Sequence, residues 1–286
     1  MQTITKLKML RNTVDGLRAG GARIALVPTM GALHEGHLTL VRAARSAADH
    51  VVVSIFVNPT QFGEGEDLDA YPRQLAADSA LLEAEGVSAI WAPAPEEVYP
   101  QGYATNVSVA GVSSGLCGDD RPGHFDGVAT VVCKLFNQVR PDCAFFGEKD
   151  WQQLAVIRRM SRDLDLTLPH VDAVHGVPTV REEDGLAMSS RNAYLSKEER
   201  AAAGTLPRAM KAAIAAMKSG VAAAGALREL EDTLLTSGFE SIDYAELRDA
   251  DTIELANEAS ENTRLFLAAR IGGTRLIDNM PAALNV

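Results

Sequence analysis

The sequence predicts an α/β protein: a Rossmann-like parallel-sheet domain followed by a smaller α+β domain. Three observations carry that expectation. RIALVP (23–28) and VVVSIFVNP (51–59) are apolar, β-branched runs of the kind buried on both faces of a parallel sheet. Between them, HLTLVRAARSAADH (37–50) sets Leu38, Val41, Ala44 and Ala48 at helical spacing, so strand, helix and strand form one right-handed βαβ unit. After about residue 176 the composition shifts to Ala-rich helical stretches followed by strand-like ones.

The pattern repeats along the first part. YPRQLAADSALLEAEGV (71–87) reads as a helix closed by Gly86, and VSAIWAP (87–93) as a third strand. GVATVVCKLFNQVRP (127–141) is helical in pattern, CAFFGEK (143–149) a strand, WQQLAVIRRMSRDL (151–164) a helix and VDAVHGVPTV (171–180) extended. Residues 1–176 are therefore expected to form the open α/β domain. In the remainder, 177–286, SKEERAAAGTLPRAMKAAIAAMKSG (196–220) is a helix expected to break at Pro207, and AAAGALRELEDTLLTSG (222–238) is another. SIDYAELRD (241–249) and TRLFLAARIGGTRLIDNM (263–280) are strand-like, the second folded on itself at IGGTR. No internal repeat is visible.

Composition excludes several classes of function. A formal net charge of −11 opposes an extended nucleic-acid partner, which needs clustered Lys and Arg, and it leaves room for a small anion held by a few local cations. No stretch approaches the ~20 uninterrupted apolar residues of a membrane span, and the N-terminus lacks the apolar centre of a secretory signal. Cys117, Cys133 and Cys143 are an odd set without C-x-x-C spacing, so neither a disulfide framework nor a zinc ribbon is indicated. A soluble, cytoplasmic protein is expected.

The chemistry gathers at strand-to-helix turns, where open α/β sheets bind ligands. In VPTMGALHEGH (27–37), Pro28 ends a strand, Gly31 and Gly36 permit close backbone approach, and a helix from about His37 is expected to direct free N–H groups at an anion. His34 and His37 add donors that can follow charge on a phosphate. Two other readings stay open: a pair of metal ligands, or ordinary capping residues. In GEKDWQQL (147–154), Lys149 suits a phosphate, Asp150 can cap the helix or hold Mg²⁺, and Gln153 stands one turn in. In DGLAMSSRNAYLS (184–196), Ser189, Ser190 and Arg191 offer two hydroxyls and a guanidinium; a plain polar linker reads equally well. NPTQFGEGEDLDAYPR (58–73) is a lid or an exposed loop, and RPGHF (121–125) adds Arg121 and His124.

In their order along the chain, PTMGALHEGH, NPTQF, RPGHF, FGEKDWQQL and MSSRN resemble the pantothenate synthetase family, nucleotidyl-transferase relatives with a His-x-Gly-His motif. The resemblance covers about residues 4 to 280. It implies condensation of pantoate with β-alanine at the expense of ATP, through pantoyl adenylate, giving pantothenate, AMP and diphosphate. It implies that Met30, Gly31, Ala32, Leu33, His34, Glu35, Gly36 and His37 line the ATP site, joined by Gly147, Glu148, Lys149, Asp150, Val180, Met188, Ser189, Ser190 and Arg191. Among these, His34, His37, Lys149 and Arg191 would be catalytic, with His37 in the proton-donor role. Gln61 and Gln153 would hold pantoate, and Asp78 is a candidate for Mg²⁺ or for ordering the β-alanine side. Phe56, Val131 and Val132 are candidates for the wall around pantoate's methyls, and the loop from about Phe62 to Tyr71 and the small C-terminal domain for closing elements. A homodimer is implied as well, with no membrane or nucleic-acid partner. The acidic Asp119, Asp120 and Asp126, and Trp151 in place of Tyr or Phe, depart from the family pattern. Two competing readings are another adenylyl transferase of the superfamily and a nucleotide-binding protein without catalysis. NPTQF has too few cations for a phosphorylated acceptor, and the full set of phosphate-binding groups speaks against lost chemistry.

Overall fold

A computed structural model of the chain describes residues 1–63 and 65–283. Within them the chain divides into two compact units, Met1–Ser113 with Cys117–Pro178, and Ser114–Leu116 with the residues from Thr179 onward. Glu64, inside the candidate lid, and residues 284–286 lie outside the described residues.

The first unit opens with β1 (Gln2–Ile4) and α1 (Leu7–Leu17), followed by β2 (Ile24–Thr29), α2 (Glu35–Ala47) and β3 (His50–Ile55). Next come α3 (Leu75–Ala84), β4 (Ala89–Trp91), the single turn α4 (Pro95–Val98) and the short α5 (Cys117–Asp120). It ends with α6 (His124–Val139), β5 (Cys143–Gly147), α7 (Trp151–Asp163) and β6 (Val174–Val177). All six strands are parallel, in the order β1-β4-β3-β2-β5-β6. The β-branched runs occupy the middle: Ile24 to Val27 and Val51 to Val53 are at most 2% exposed, as continuous apolar strands covered on both faces must be.

The chain builds outward from β2 to β3 and β4, then returns to place β5 on the other side of β2. That reversal makes a crevice at the carboxyl ends of β2 and β5, the standard ligand position in such sheets. Pro28 does not end β2 as expected; the strand runs on to Thr29, with Pro28 opposite Ser54. It lies beyond the β2–β5 ladder at Ala25 and Leu26, where a residue lacking N–H is tolerated. β1 carries no sequence signal of its own, because three residues are too few to show a period. The segment expected to be extended over 171–180 begins instead with a helical turn at Val171–Ala173 and pairs only over β6.

The second unit contains α8 (Lys197–Ala203), α9 (Thr205–Lys218) and α10 (Ala223–Thr236), then the antiparallel sheet of β7 (Ser241–Asp249), β8 (Thr263–Ile271) and β9 (Thr274–Pro281). Leu206, Met210, Leu230, Leu234, Leu247, Leu265 and Leu267 form its core. The expected break at Pro207 is moved to Gly204, the residue between α8 and α9. Pro207 occupies the first turn of α9, where an N–H has no helical acceptor to lose. The β8–β9 hairpin turns at Gly272 and Gly273, whose φ values of 56° and 71° are those a two-residue turn of this hand requires. No described helix is long and apolar enough to cross a membrane.

Candidate active site

β2 delivers the chain into a turn that satisfies its own backbone. Gly31 N–H donates to Thr29 Oγ1 at 3.3 Å, and Ala32 and Leu33 N–H donate to the two Asp78 carboxylate oxygens at 3.0 and 2.9 Å. His34 N–H donates to His37 Nδ1 at 3.3 Å, and Gly36 N–H to His34 Nδ1 at 3.2 Å. His37 N–H reaches His34 O at 2.8 Å. The helix therefore starts at Glu35 with His34 as its cap, two residues before the expected start. The expectation of free N–H groups is corrected for these six amides, which already have acceptors; the Glu35 N–H is not among them.

The imidazoles are what remain for a ligand. Each Nδ1 accepts, so in the neutral ring each Nε2 carries the proton and donates. The two rings lie 4.2 Å apart, centroid to centroid. Burial lowers the His34 pKa, helped by the Lys149 charge and opposed by Asp150. His37 is pushed down to about 3, mainly by burial and then by His34. Both rings are thus neutral hydrogen-bond donors near pH 7, and His37 starts uncharged rather than as an imidazolium. The capping reading is correct for the Nδ1 edges and leaves the Nε2 edges for function.

Asp78 has a different task from the Mg²⁺ ligand the sequence suggested. Its side chain is fully buried at the start of α3, and both oxygens are engaged by the turn's amides. Gly31, at φ 88°, brings the turn so close that a Cβ there would stand 3.1 Å from Asp78 Oδ2. Among the described residues, no three His, Cys, Asp or Glu side chains are grouped to hold a metal.

β5 ends at Gly147 and passes through a helical turn at Glu148–Asp150 into α7. Asp150 takes the cap position of α7 without a side-chain cap bond; its Oδ1 lies 3.7 Å from Lys149 Nζ. The charges of Lys149 and Asp150 register on both His34 and His37, so the two turns at the switch point share one electrostatic site. Of the two glutamines that follow, Gln152 is 5% exposed and structural: Oε1 accepts from Cys117 N–H at 3.1 Å and Nε2 donates to Val112 O at 3.2 Å. Gln153, the predicted ligand, is half-buried one position on.

Gln61 sits in a helical turn, Pro59–Gln61, after β3. Asn58, 1% exposed, holds it: Asn58 Nδ2 donates to Gln61 Oε1 and to Gly127 O, each at 3.1 Å. Gly127 is needed there, since a Cβ would stand 2.4 Å from Thr60 O and 2.7 Å from Gln61 N. His124 opens α6; its Nδ1 donates to Gln61 O at 2.8 Å and its Nε2 accepts from Arg121 at 3.0 Å. Burial, and then the Arg121 charge, press the His124 pKa down to about 4. Arg121 also pairs with Glu66 at 2.6 Å, tying the candidate lid to this cluster. Phe56, Val131 and Val132 are all buried. Asn58 was missed by the sequence reading, although an Asn-Pro step closing a buried strand is a turn signal.

In the second unit, Met188 N–H donates to Val180 O at 3.0 Å, which brings the predicted Val180 beside the MSSR segment. Ser189 Oγ accepts from Arg191 N–H at 3.3 Å and caps the helical turn Ser190–Tyr194. Asn192 Nδ2 donates to Ala187 O at 3.1 Å. The segment is a structured loop, not a plain linker. Arg181 is fixed by Asp278, 3% exposed, through two bonds of 2.7 and 2.9 Å.

A Rossmann-like sheet with two donor imidazoles and a lysine at its switch point defines a class: enzymes that handle a phosphate-bearing nucleotide in that crevice. The family model described as pantoate-beta-alanine ligase matches residues 2–281. The chain belongs to that family, and as a member it is a ligase joining pantoate to β-alanine through an amide. It is 66% identical over 281 residues to the pantothenate synthetase of Novosphingobium aromaticivorans, covering 98% of each chain. The crystal structure of pantothenate synthetase from Thermus thermophilus superposes with a TM-score of 0.91 at 46% identity, over 99% of this chain and 100% of that one. The Francisella tularensis ligase, solved as a complex with beta-gamma ATP and beta-alanine, gives a TM-score of 0.84 at 33% identity, over 99% and 98% of the two chains.

Proposed function

We propose that the ligase activates pantoate at the β2–α2 turn. The pantoate carboxylate attacks the α-phosphorus of ATP, diphosphate leaves, and the amine of β-alanine then displaces AMP from pantoyl adenylate. The products are pantothenate, AMP and diphosphate. The observation that carries this reading is the pair of neutral imidazoles, each with its Nδ1 engaged by the turn and its Nε2–H left to donate, in one electrostatic site with Lys149.

In this reading, Met30 to His37 and Gly147 to Asp150 line the ATP site of the first unit. Within the second unit, Val180 and Met188 to Arg191 are the candidates for phosphate contacts, and the Met188 N–H bond to Val180 O supports grouping them. His34, His37, Lys149 and Arg191 stabilise charge as diphosphate departs. The chain supplies positioning and fixed donors rather than a covalent nucleophile, the division of labour that phosphoryl-type transfers favour. Gln61 and Gln153 hold pantoate by its carboxylate and hydroxyls. Burial of Phe56, Val131 and Val132 supports an apolar wall for the geminal methyls. Mg²⁺ enters as part of the nucleotide substrate, bound by phosphates and water with few protein ligands, since Asp78 is already occupied. Exclusion of water from the adenylate falls to the loop from Phe62 to Tyr71. The enzyme works in the cytoplasm as a homodimer, which sedimentation tests directly.

The deciding experiment supplies ATP and Mg²⁺ and measures AMP. It should accumulate only when pantoate and β-alanine are both present. His37→Ala and Lys149→Ala should each slow pantoate-dependent diphosphate release by about 10²-fold or more, the scale of a lost transition-state donor. Near-normal release by either variant would remove that residue from the reaction.

A further inference from the structure

Side-chain amides are ambiguous until their neighbours fix them, and around Gln61 the neighbours do so without exception. Asn58 lies between groups of unmistakable polarity. Gly127 O can only accept, so the edge 3.1 Å from it is Nδ2. Thr60 N–H can only donate, so the edge 3.4 Å from it is Oδ1. That oxygen receives two hydroxyls as well, Tyr99 at 2.7 Å and Thr60 at 3.0 Å. The other Nδ2 hydrogen then goes to Gln61, whose Oε1 must be the edge that receives it, at 3.1 Å. Gln61 is left facing outward with Nε2, whose neighbour is Met30 Sδ at 3.3 Å, a weak acceptor.

The Tyr99 hydroxyl makes the shortest bond in this relay and is joined to the Gln61 side chain through Asn58. Tyr99 follows α4, and its ring is wedged edge-on against Tyr103 at 5.1 Å and beside Phe56 at 6.3 Å. Lys134 Nζ lies 5.7 Å from its centroid. Burial raises the hydroxyl's pKa, so the group remains a donor across the working pH range.

We propose that Tyr99 is a positioning residue for pantoate: its hydroxyl, through the Asn58 amide, locks Gln61 with the N–H edge toward the substrate. The idea rests on the assignment of Gln61 to pantoate, and adds what that assignment lacks, the polarity of the contact. Pantoate is rich in acceptors, with a carboxylate and two hydroxyls, so a Gln fixed as donor recognises it and a Gln free to rotate recognises it less well. Removing the Tyr99 hydroxyl leaves Asn58 Oδ1 with the Thr60 donors alone, which weakens the lock without emptying the site.

The test is steady-state kinetics of the full chain with pantoate, ATP and β-alanine varied in turn. Tyr99→Phe should raise the pantoate KM about five-fold, leaving kcat and the ATP KM within about two-fold, a neutral hydrogen bond's worth of binding. Gln61→Ala should raise the pantoate KM more, and Tyr99→Phe added to it should change nothing further, because no amide is left to orient. Asn58→Asp, which sets an oxygen against Gln61 Oε1, should raise the pantoate KM with the ATP KM unmoved. A rise in pantoate KM for Gln61→Ala with none for Tyr99→Phe or Asn58→Asp would overturn the relay alone. So would independent, multiplying effects of Tyr99→Phe and Gln61→Ala. An unchanged pantoate KM in Gln61→Ala would overturn the assignment of Gln61 itself, and the relay with it.

Discussion

Asp78 shows how one buried carboxylate organises a turn. Its two oxygens take the amides of Ala32 and Leu33, so the imidazoles that follow are carried on a fixed turn. Asp78→Asn preserves shape but presents one amide with a donor, and a buried unsatisfied N–H costs about 1–3 kcal/mol. Diphosphate release should fall by about 10- to 100-fold, as expected when reacting groups are displaced by a fraction of an ångström to an ångström. The Mg²⁺ concentration giving half-maximal rate should stay unchanged; a marked rise in it would restore the metal-ligand reading. The sequence singled out His34, His37, Lys149 and Gln61 as candidates because they lie in short, dense motifs. It concealed the work of Asp78, Asn58 and Gln152, whose bonding partners are 45 or 46, 69, and 35 or 40 residues away. Nothing local distinguishes Gln152 from Gln153; only the face of α7 does.

At the level of elements, the critical contact is between α6 and the turn that carries Gln61. Gly127 lets the helix backbone approach that turn, and a methyl there meets Thr60 O at 2.4 Å with only main chain to yield. Overpacking of this kind costs about 1–3 kcal/mol. Gly127→Ala should lower the melting temperature by several degrees and raise the pantoate KM while the ATP KM changes little. A stable variant with an unchanged pantoate KM would show that the turn adapts freely. The parallel strands were legible because β-branched runs announce burial on both faces. β1 was not, since its pairing with β4 is a matter of tertiary position. Pro207 misled because a proline breaks a helix only where an N–H was in use.

For the molecule as a whole, four half-buried histidines link stability to acidity. His34, His37, His124 and His175 all have lowered pKa values when folded. Above about pH 6.5 they are neutral in both states; below it the unfolded chain binds protons that the folded one, down to about pH 4 at His124 and about 3 at His37, does not. Stability should therefore fall as pH drops from about 7 to 5, before most carboxylates titrate. Urea midpoints across that interval measure it. His124→Asn keeps a donor for Gln61 O and cannot charge, so its curve should be flatter; a curve parallel to the parent would sink the linkage. Composition changes after about residue 176, whereas the assignment of Ser114–Leu116 to the second unit has no counterpart in it, since those residues sit far upstream in the chain. A last consequence concerns selectivity toward inhibitors. With the loop amides from Gly31 to His34 already bound internally, a compound that relies on a ring of peptide donors to cradle its acid group gains little here. One that offers two acceptors spaced to meet paired imidazole N–H edges gains the grip that a phosphate-mimicking anion alone would not.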